Sequence, residues 1–351
     1  MKRCVLVLLA LLAGCVEKPA GVTVLTYASP YAPGHPFSRA DIEWMTWVEA
    51  QSQGKIRIQP FWGGTLLSSE HSMIELRHGV ADVGLITPIY VRGGTHLIRA
   101  QAAFYVGMDT YEQQTALYRC LAAAHHPQFA HELRGLMTLA IQGGNLPGIV
   151  TRTRPVRSLE DLRGLRLRAP SELLSVLEHL GADPVDMPMG EVYSALAKGV
   201  LDGVVAPADT LRSLHFAEVA KYFNTIKIPR GAYAARAMSE ARWEQLTPEE
   251  RALLERSTAV WEAALARELT QANEAGFAAG RAGGIEFFDM PADEQARFDE
   301  IYAADSEARA RQLARFGIDG LSVFRDARDF AAQIAASPQF ECTSKEHEPT
   351  S

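Results

Sequence analysis

The chain has little of what usually marks chemistry. Its 351 residues hold four cysteines. None forms a CxxC pair, and no metal-ligand spacing matches a zinc site. There is no GxSxG elbow, no P-loop, no GxGxxG after a strand and no HExxH, so no short motif places a nucleophile, a phosphate cradle or a catalytic zinc. His125, His126 and His131, around Pro127 and Phe129, read as a solvated helix end rather than a ligand set. No carboxylate pair stands out for acid–base work. Catalysis, a cofactor and a bound metal are therefore not expected. Positive charge is short as well: the formal net charge is −7, which argues against a nucleic-acid partner. No apolar run approaches the roughly 20 residues that a membrane-spanning helix needs.

What is present begins at the N-terminus. Lys2 and Arg3 precede an apolar run from Val5 to Ala13, then Gly14 and Cys15, the charged and apolar regions of an export signal. Leu12-Ala13-Gly14-Cys15 is similar to the site where bacterial lipoproteins are cleaved and lipidated; an ordinary signal peptide is the alternative. Residues 1–15 are thus expected to be a lipoprotein signal, with Cys15 lipidated, and 16–21 a tether. The expected location is periplasmic, anchored to the membrane by lipid. Cys120 and Cys342 remain. An exported protein can hold a disulfide, but residues so far apart do not establish one. Two unpaired thiols are expected, with a Cys120–Cys342 bridge as the alternative.

The rest reads as one exported body of alternating strands and helices, which indicates βαβ crossovers. Hydrophobic residues make up 47% of the chain, enough to bury a large core. Strands are expected over Val22–Tyr27, Lys55–Phe61 and Val80–Ile86, and helices over Phe37–Gln51 and Ser68–His78, the first with Ile42, Met45 and Val48 on its inner face. Trp44 and Trp47 read as packing. A helix ending on Gly79 enters a strand through Asp82; one ending on Gly199 does so through Asp202. This repeat suggests two related α/β domains. Thr247-Pro248-Glu249-Glu250 carries a cap, a first-turn proline and acidic residues. It opens a helix that runs to about Ala279 and crosses both domains, or breaks near Gly276. The expected division is 22–145 for the first domain, 146–235 for the second and 236–284 for the long helix. A C-terminal strand and helices fill 285–340, ahead of a tail at 341–351.

Arg168 closes a basic strand in which Arg166 should face the other way. In open α/β sheets ligands sit beyond the carboxyl ends of strands, and an arginine there offers a fork that matches a carboxylate. A surface pairing with Glu172 or Glu178 is the bland alternative. The run Asp161-Leu162-Arg163-Gly164-Leu165-Arg166-Leu167-Arg168-Ala169-Pro170 resembles the "DLKGLKIRVP" block of the substrate-binding subunits of TRAP transporters, the tripartite uptake systems for organic acids. Gly181-Ala182-Asp183-Pro184-Val185, Glu191-Val192-Tyr193-Ser194-Ala195-Leu196 and Asp202-Gly203 are similar to the blocks that follow it. The resemblance covers most of the mature chain.

It implies a bilobed periplasmic-binding architecture, two α/β domains with a ligand cleft between them and a long helix spanning both. It also implies capture of a small organic anion by Arg168, hinge closure, and delivery to a TRAP-type membrane permease; the alternatives are a binding lipoprotein that feeds a membrane sensor and an exported enzyme on a similar bilobed scaffold. Strand-end positions add Ser29 and Tyr31, Thr65 and Ser68, and Thr87 and Tyr90; Met189 and Tyr233 would close the apolar side. Glu191 and Tyr193 are expected to brace the fold. The family's polar run after the Asp-Gly pair is Val204-Val205-Ala206-Pro207 here, so that contact falls to apolar Ala206 or moves to Asp209 or Thr210. A second arginine often found about 20 residues before the clamp is replaced by Asn145-Leu146-Pro147-Gly148. Both departures suggest a less polar monocarboxylate.

Overall fold

The computed structural model describes residues 21–91, 93–337, 340 and 342. The signal segment, Cys15, the tether up to residue 20 and most of the tail lie outside the described residues. In chain order the strands are β1 (Thr23–Ala28), β2 (Ile56–Phe61), β3 (Val83–Leu85), β4 (Leu136–Gln142), β5 (Gly148–Thr151), β6 (Arg166–Arg168), β7 (Asp183–Val185), β8 (Gly203–Ala206), β9 (Tyr222–Asn224), β10 (Tyr233–Ser239) and β11 (Glu286–Phe288). They form two sheets, ordered β2-β1-β3-β10-β4 and β11-β9-β5-β8-β6-β7. In the first sheet β1 runs parallel to β2 and β3, while β10 is antiparallel to β3 and β4. In the second, β6 is parallel to β7 and β8, and β5 is antiparallel to β8 and β9. The chain is a mixed α/β protein of two lobes. It passes between the sheets from β4 to β5, back from β9 to β10, and again along the helix that separates β10 from β11.

The Gly–Asp repeat has one structural meaning in both lobes. Gly79 and Gly199 sit at φ +75 and +73, the left-handed stop that costs glycine least. The aspartate three residues later then holds the neighbouring strand: Thr26 N–H donates to Asp82 Oδ2 at 2.7 Å, and Arg166 N–H to Asp202 Oδ2 at 2.8 Å. Each aspartate accepts the backbone donor that opens a ladder, so the same device registers β1 and β6 against their partners.

The long helix is unbroken from Pro248 to Ala282, with Thr247 and Glu250 forming a reciprocal capping box. At 1.5 Å per residue it extends about 52 Å. Its Trp261 stacks on Trp44 of the first helix (Pro36–Gln51) at 3.7 Å between ring centroids. Gly276, the residue at which a break was conceivable, is instead where the helix meets the second lobe. A Cβ there would lie 2.6 Å from Asp209 Cα and closer still to the Ala208 carbonyl, so only glycine permits the approach.

Several expectations need correction. Ile42 is exposed, and the inner face of the first helix is built by Ala40, Trp44, Met45 and Val48. The helix expected from Ser68 spans only Ser72–Arg77, because the Glu75 carboxylate accepts the Ser68 N–H at 2.8 Å and ties the preceding loop across the helix start. The strand expected over Val80–Ile86 shortens to β3, since the turn at Gly79 leaves Val80 exposed. Two C-terminal helices were expected near Ala292–Phe316 and Ser322–Ala336; the first is α-helical over Ala292–Gln312 and closes in a 3-10 turn, and the second spans Gly320–Ala336. Glu191 is exposed and Tyr193 reaches only the exposed Glu218, so neither braces the core. Cys120 and Cys342 are not free thiols: they form a disulfide with Cα atoms 5.2 Å apart. This pins the chain beyond the last helix onto the helix Tyr111–Ala124.

Candidate ligand-binding site

A cavity of about 100 Å³ lies between the lobes, beyond the carboxyl ends of β1, β3, β6 and β8, where open α/β sheets place their ligands. Strand period decides what faces it. In β6, Leu167 is fully buried in the core, Arg166 is exposed, and Arg168 turns inward at 2% exposure. The Arg168 Nε donates to Met187 O at 2.9 Å and its Nη2 to Tyr90 Oη at 2.8 Å. Arg168 makes no ion pair with Glu172 or Glu178 among the described residues, and its Nη1 has no hydrogen-bond partner there. Two anchors thus fix the guanidinium while its Nη1–Nη2 end is left for an acceptor in the cavity.

The first lobe supplies an aromatic wall. Tyr31 stacks on His35 at 4.1 Å and meets Phe37 edge-on at 5.5 Å. His35 Nδ1 accepts the Phe37 N–H at 3.2 Å, so a neutral ring carries its proton on Nε2. Burial, helped by Arg236 and Arg39, lowers the His35 pKa to about 3, which keeps it neutral. Tyr233 accepts from Gln142 Nε2 at 3.2 Å, and burial pushes its hydroxyl up to about 12. Burial also raises Tyr31. These hydroxyls remain protonated donors at neutral pH.

Behind the wall is a buried ionic network. Asp41 accepts from Arg236 Nε at 3.0 Å and Trp261 Nε1 at 2.8 Å on one oxygen, and from Tyr27 Oη at 2.5 Å on the other. Arg236 also donates to Gln142 Oε1. The chain of contacts therefore runs from the long helix through β10 and β4 to Tyr233.

The opposite wall belongs to Asp209 and Arg230. Asn145 Nδ2 donates to Asp209 Oδ1 at 3.0 Å and to Leu269 O of the long helix at 2.9 Å. Its own carbonyl accepts from Arg230 Nη1 at 3.3 Å. Burial raises the Asp209 pKa, while Asn145 and Arg230 oppose the shift. Glu172 is likewise raised by burial, against Arg309 and Arg168.

Of the residues expected at the site, Arg168, Tyr31, Thr87, Tyr90, Met189, Asp209 and Tyr233 line this cavity, as does Thr210. Ser29, Thr65, Ser68 and Ala206 do not. Ser29 Oγ accepts the Tyr31 N–H at 3.3 Å; exposed Thr65 donates to Trp62 O at 3.1 Å; Ser68 is bound to Glu75. Ala206 fails by one step of strand period, for Val205 and Pro207 face the cavity and Ala206 the core. His35, Phe37, Glu172 and Arg230 were missed. Arg230 brings a second guanidinium to the cavity from a different place in the chain, the turn before β10, and packs where Gly144 lacks a Cβ. The one available signal was the Pro229-Arg230-Gly231 turn two residues ahead of Tyr233.

Two α/β lobes, a spanning helix and an interlobe cavity with an inward arginine define a bilobed solute-binding protein. The chain belongs to the bacterial extracellular solute-binding proteins, family 7 (DctP), whose pattern it matches over residues 28–312. It is similar to the sialic acid-binding periplasmic protein SiaP of Vibrio cholerae, 32% identical over 60% of this chain and 65% of that one. It is also similar to a solute-binding protein of Albidiferax ferrireducens, 25% identical over 59% and 61%. These matches span less than two thirds of the relatives' lengths. Solved structures agree on the fold. A TRAP solute binding protein from Rhodoferax ferrireducens with copurified benzoate superposes at TM-score 0.81 and 23% identity, covering 90% of this chain and 99% of that one. One from Bordetella bronchiseptica with bound mandelate gives 0.76 at 20% identity, covering 89% and 99%.

Proposed function

We propose that this chain captures a small organic acid outside the cytoplasmic membrane and delivers it unchanged to a TRAP-type permease. The observation that carries this is Arg168: a buried guanidinium, fixed on one edge by Met187 and Tyr90, with no hydrogen bond on its Nη1 side among the described residues. A buried charge without a partner is costly, and a ligand carboxylate supplies that partner in bidentate form. Tyr31, His35, Phe37 and Tyr90 offer flat surfaces for the apolar body of the ligand. The relatives that bind sialic acid, benzoate and mandelate all hold carboxylic acids, which supports the same chemistry here. Lobe closure over the ligand would present a different outer surface to the permease. The export signal and Cys15 support a lipid-anchored protein in the periplasm.

A thermal-shift screen of the protein lacking residues 1–15 tests this against small carboxylates, matched neutral amides and sugars. A ligand at 100 times its dissociation constant adds about 2.7 kcal/mol of stability. Shifts confined to carboxylates are expected; shifts produced equally by the amides would overturn the reading.

A further inference from the structure

The cavity has a second pole that a carboxylate at Arg168 leaves unused. Arg230 lines it from the turn before β10 and makes no ion pair among the described residues; its Nη1 contact with Asn145 O, at 3.3 Å, is long. Asp209 lines it from beyond β8, with Oδ1 held by Asn145 Nδ2 at 3.0 Å. One residue, Asn145, thus contacts both groups, its side-chain amide donating to Asp209 and its carbonyl accepting from Arg230, and no ion pair joins the two among the described residues. A Cβ on Gly144 would lie 2.4 Å from Arg230 Cζ, and a Cβ on Gly276 would lie 2.6 Å from Asp209 Cα. At Gly276 the helix meets the Ala208–Asp209 backbone and requires glycine, while at Gly144 the end of the Arg230 side chain fills the space a Cβ would take.

We propose that Arg230 and Asp209 form a hydroxyl-reading subsite, so that the ligand is a hydroxy-substituted monocarboxylic acid with its carboxylate on Arg168. This rests on the carboxylate reading of the same cavity. The chemistry selects among substituents. Arginine only donates and an ionised aspartate only accepts; a hydroxyl does both and satisfies the pair at once. A second carboxylate would suit Arg230 but stand against Asp209, and an ammonium would suit Asp209 but stand against Arg230. A bare C–H would satisfy neither group's remaining hydrogen-bonding capacity. Such a site rejects the analogue lacking its hydroxyl more strongly than an apolar pocket rejects a missing methylene. The wall of Tyr31, His35, Phe37 and Tyr90 favours a flat ring as the body that joins the two polar ends.

The test is calorimetric titration with benzoate, 3-hydroxybenzoate, 4-hydroxybenzoate and isophthalate, on the wild-type protein and on Asp209→Asn and Arg230→Gln. Melting curves establish that both near-isosteric variants are folded. One of the hydroxybenzoates is expected to bind at least about tenfold more tightly than both benzoate and isophthalate, the scale of hydrogen bonds to charged groups. In each variant that preference should fall to within about threefold. Benzoate or isophthalate binding as tightly as the hydroxylated acids would overturn the subsite and leave carboxylate capture standing. A preference that survives both substitutions would overturn it too, assigning the hydroxyl to other groups. Binding of none of the four to the wild-type protein would overturn the subsite and carboxylate capture of ring acids together.

Discussion

Asp41 is the point at which the fold is most exposed to a single change. Its carboxylate is fully buried and holds Arg236, Trp261 and Tyr27, thereby joining the first helix, β10, the long helix and β1. Asp41→Asn keeps the shape and removes the charge. Arg236, itself 0% exposed, then stands as a buried cation without a counterion, and one of the three donors faces an amide NH2. Breaking a buried ion pair in this way costs about 3–5 kcal/mol. Unfolding entropy near 2.1 cal/mol/K per residue gives roughly 0.7 kcal/mol/K for a chain of this size. The melting temperature should therefore fall by about 4–7 °C, with a matching drop in the urea midpoint. Circular dichroism melts of the unliganded protein read this directly. A fall of less than about 1 °C in a variant with native secondary structure would refute the argument that the pair is desolvated and energetically coupled.

Three other outcomes follow from the geometry. Reducing the Cys120–Cys342 bridge, or Cys342→Ser, reopens a loop of 222 residues. The chain-entropy relation puts the loss near 5 kcal/mol, and melts with and without reductant should differ by several degrees. His35 is held neutral with a pKa of about 3, below its unfolded value of about 6.5. Between those values the unfolded state binds the extra proton, so stability is full above pH 6.5 and falls by about 1.4 kcal/mol per unit of acidification. His35→Gln should flatten that slope between pH 6 and pH 4 in urea titrations. Gly276→Ala drives a Cβ into the Ala208–Asp209 turn; it should cost about 1–3 kcal/mol and weaken ligand binding, because Asp209 moves with the turn. Unaltered binding in that variant would separate the long helix from the site.

What could be read beforehand was what the sequence encodes locally. The Thr247 cap, the glycines at positive φ and the alternation in β6 each act within a few residues, so the long helix, the two Gly–Asp units and the inward face of Arg168 were legible. Strand ends located Tyr31, Thr87 and Tyr90 for the same reason, while Asp209 came from the resemblance, as the place to which the contact after the Asp-Gly pair moves. Arg230 was not legible, because its approach depends on Gly144, which is distant in sequence and adjacent only once β10 pairs with β4. The disulfide was hidden for a similar reason, since nothing local brings Cys342 to the helix bearing Cys120. Ala206 shows how thin the margin is: a one-residue error of strand period exchanged it for its two neighbours.

The central claim is that Arg168 holds the ligand's carboxylate. It is tested most directly by calorimetric titration of the tightest carboxylate from the screen into wild-type protein and Arg168→Ala. Removing one partner of a buried charge pair costs about 2–5 kcal/mol. Affinity should accordingly fall about 30-fold or more while the unliganded variant still melts cooperatively. The same affinity in a folded Arg168→Ala would contradict the account.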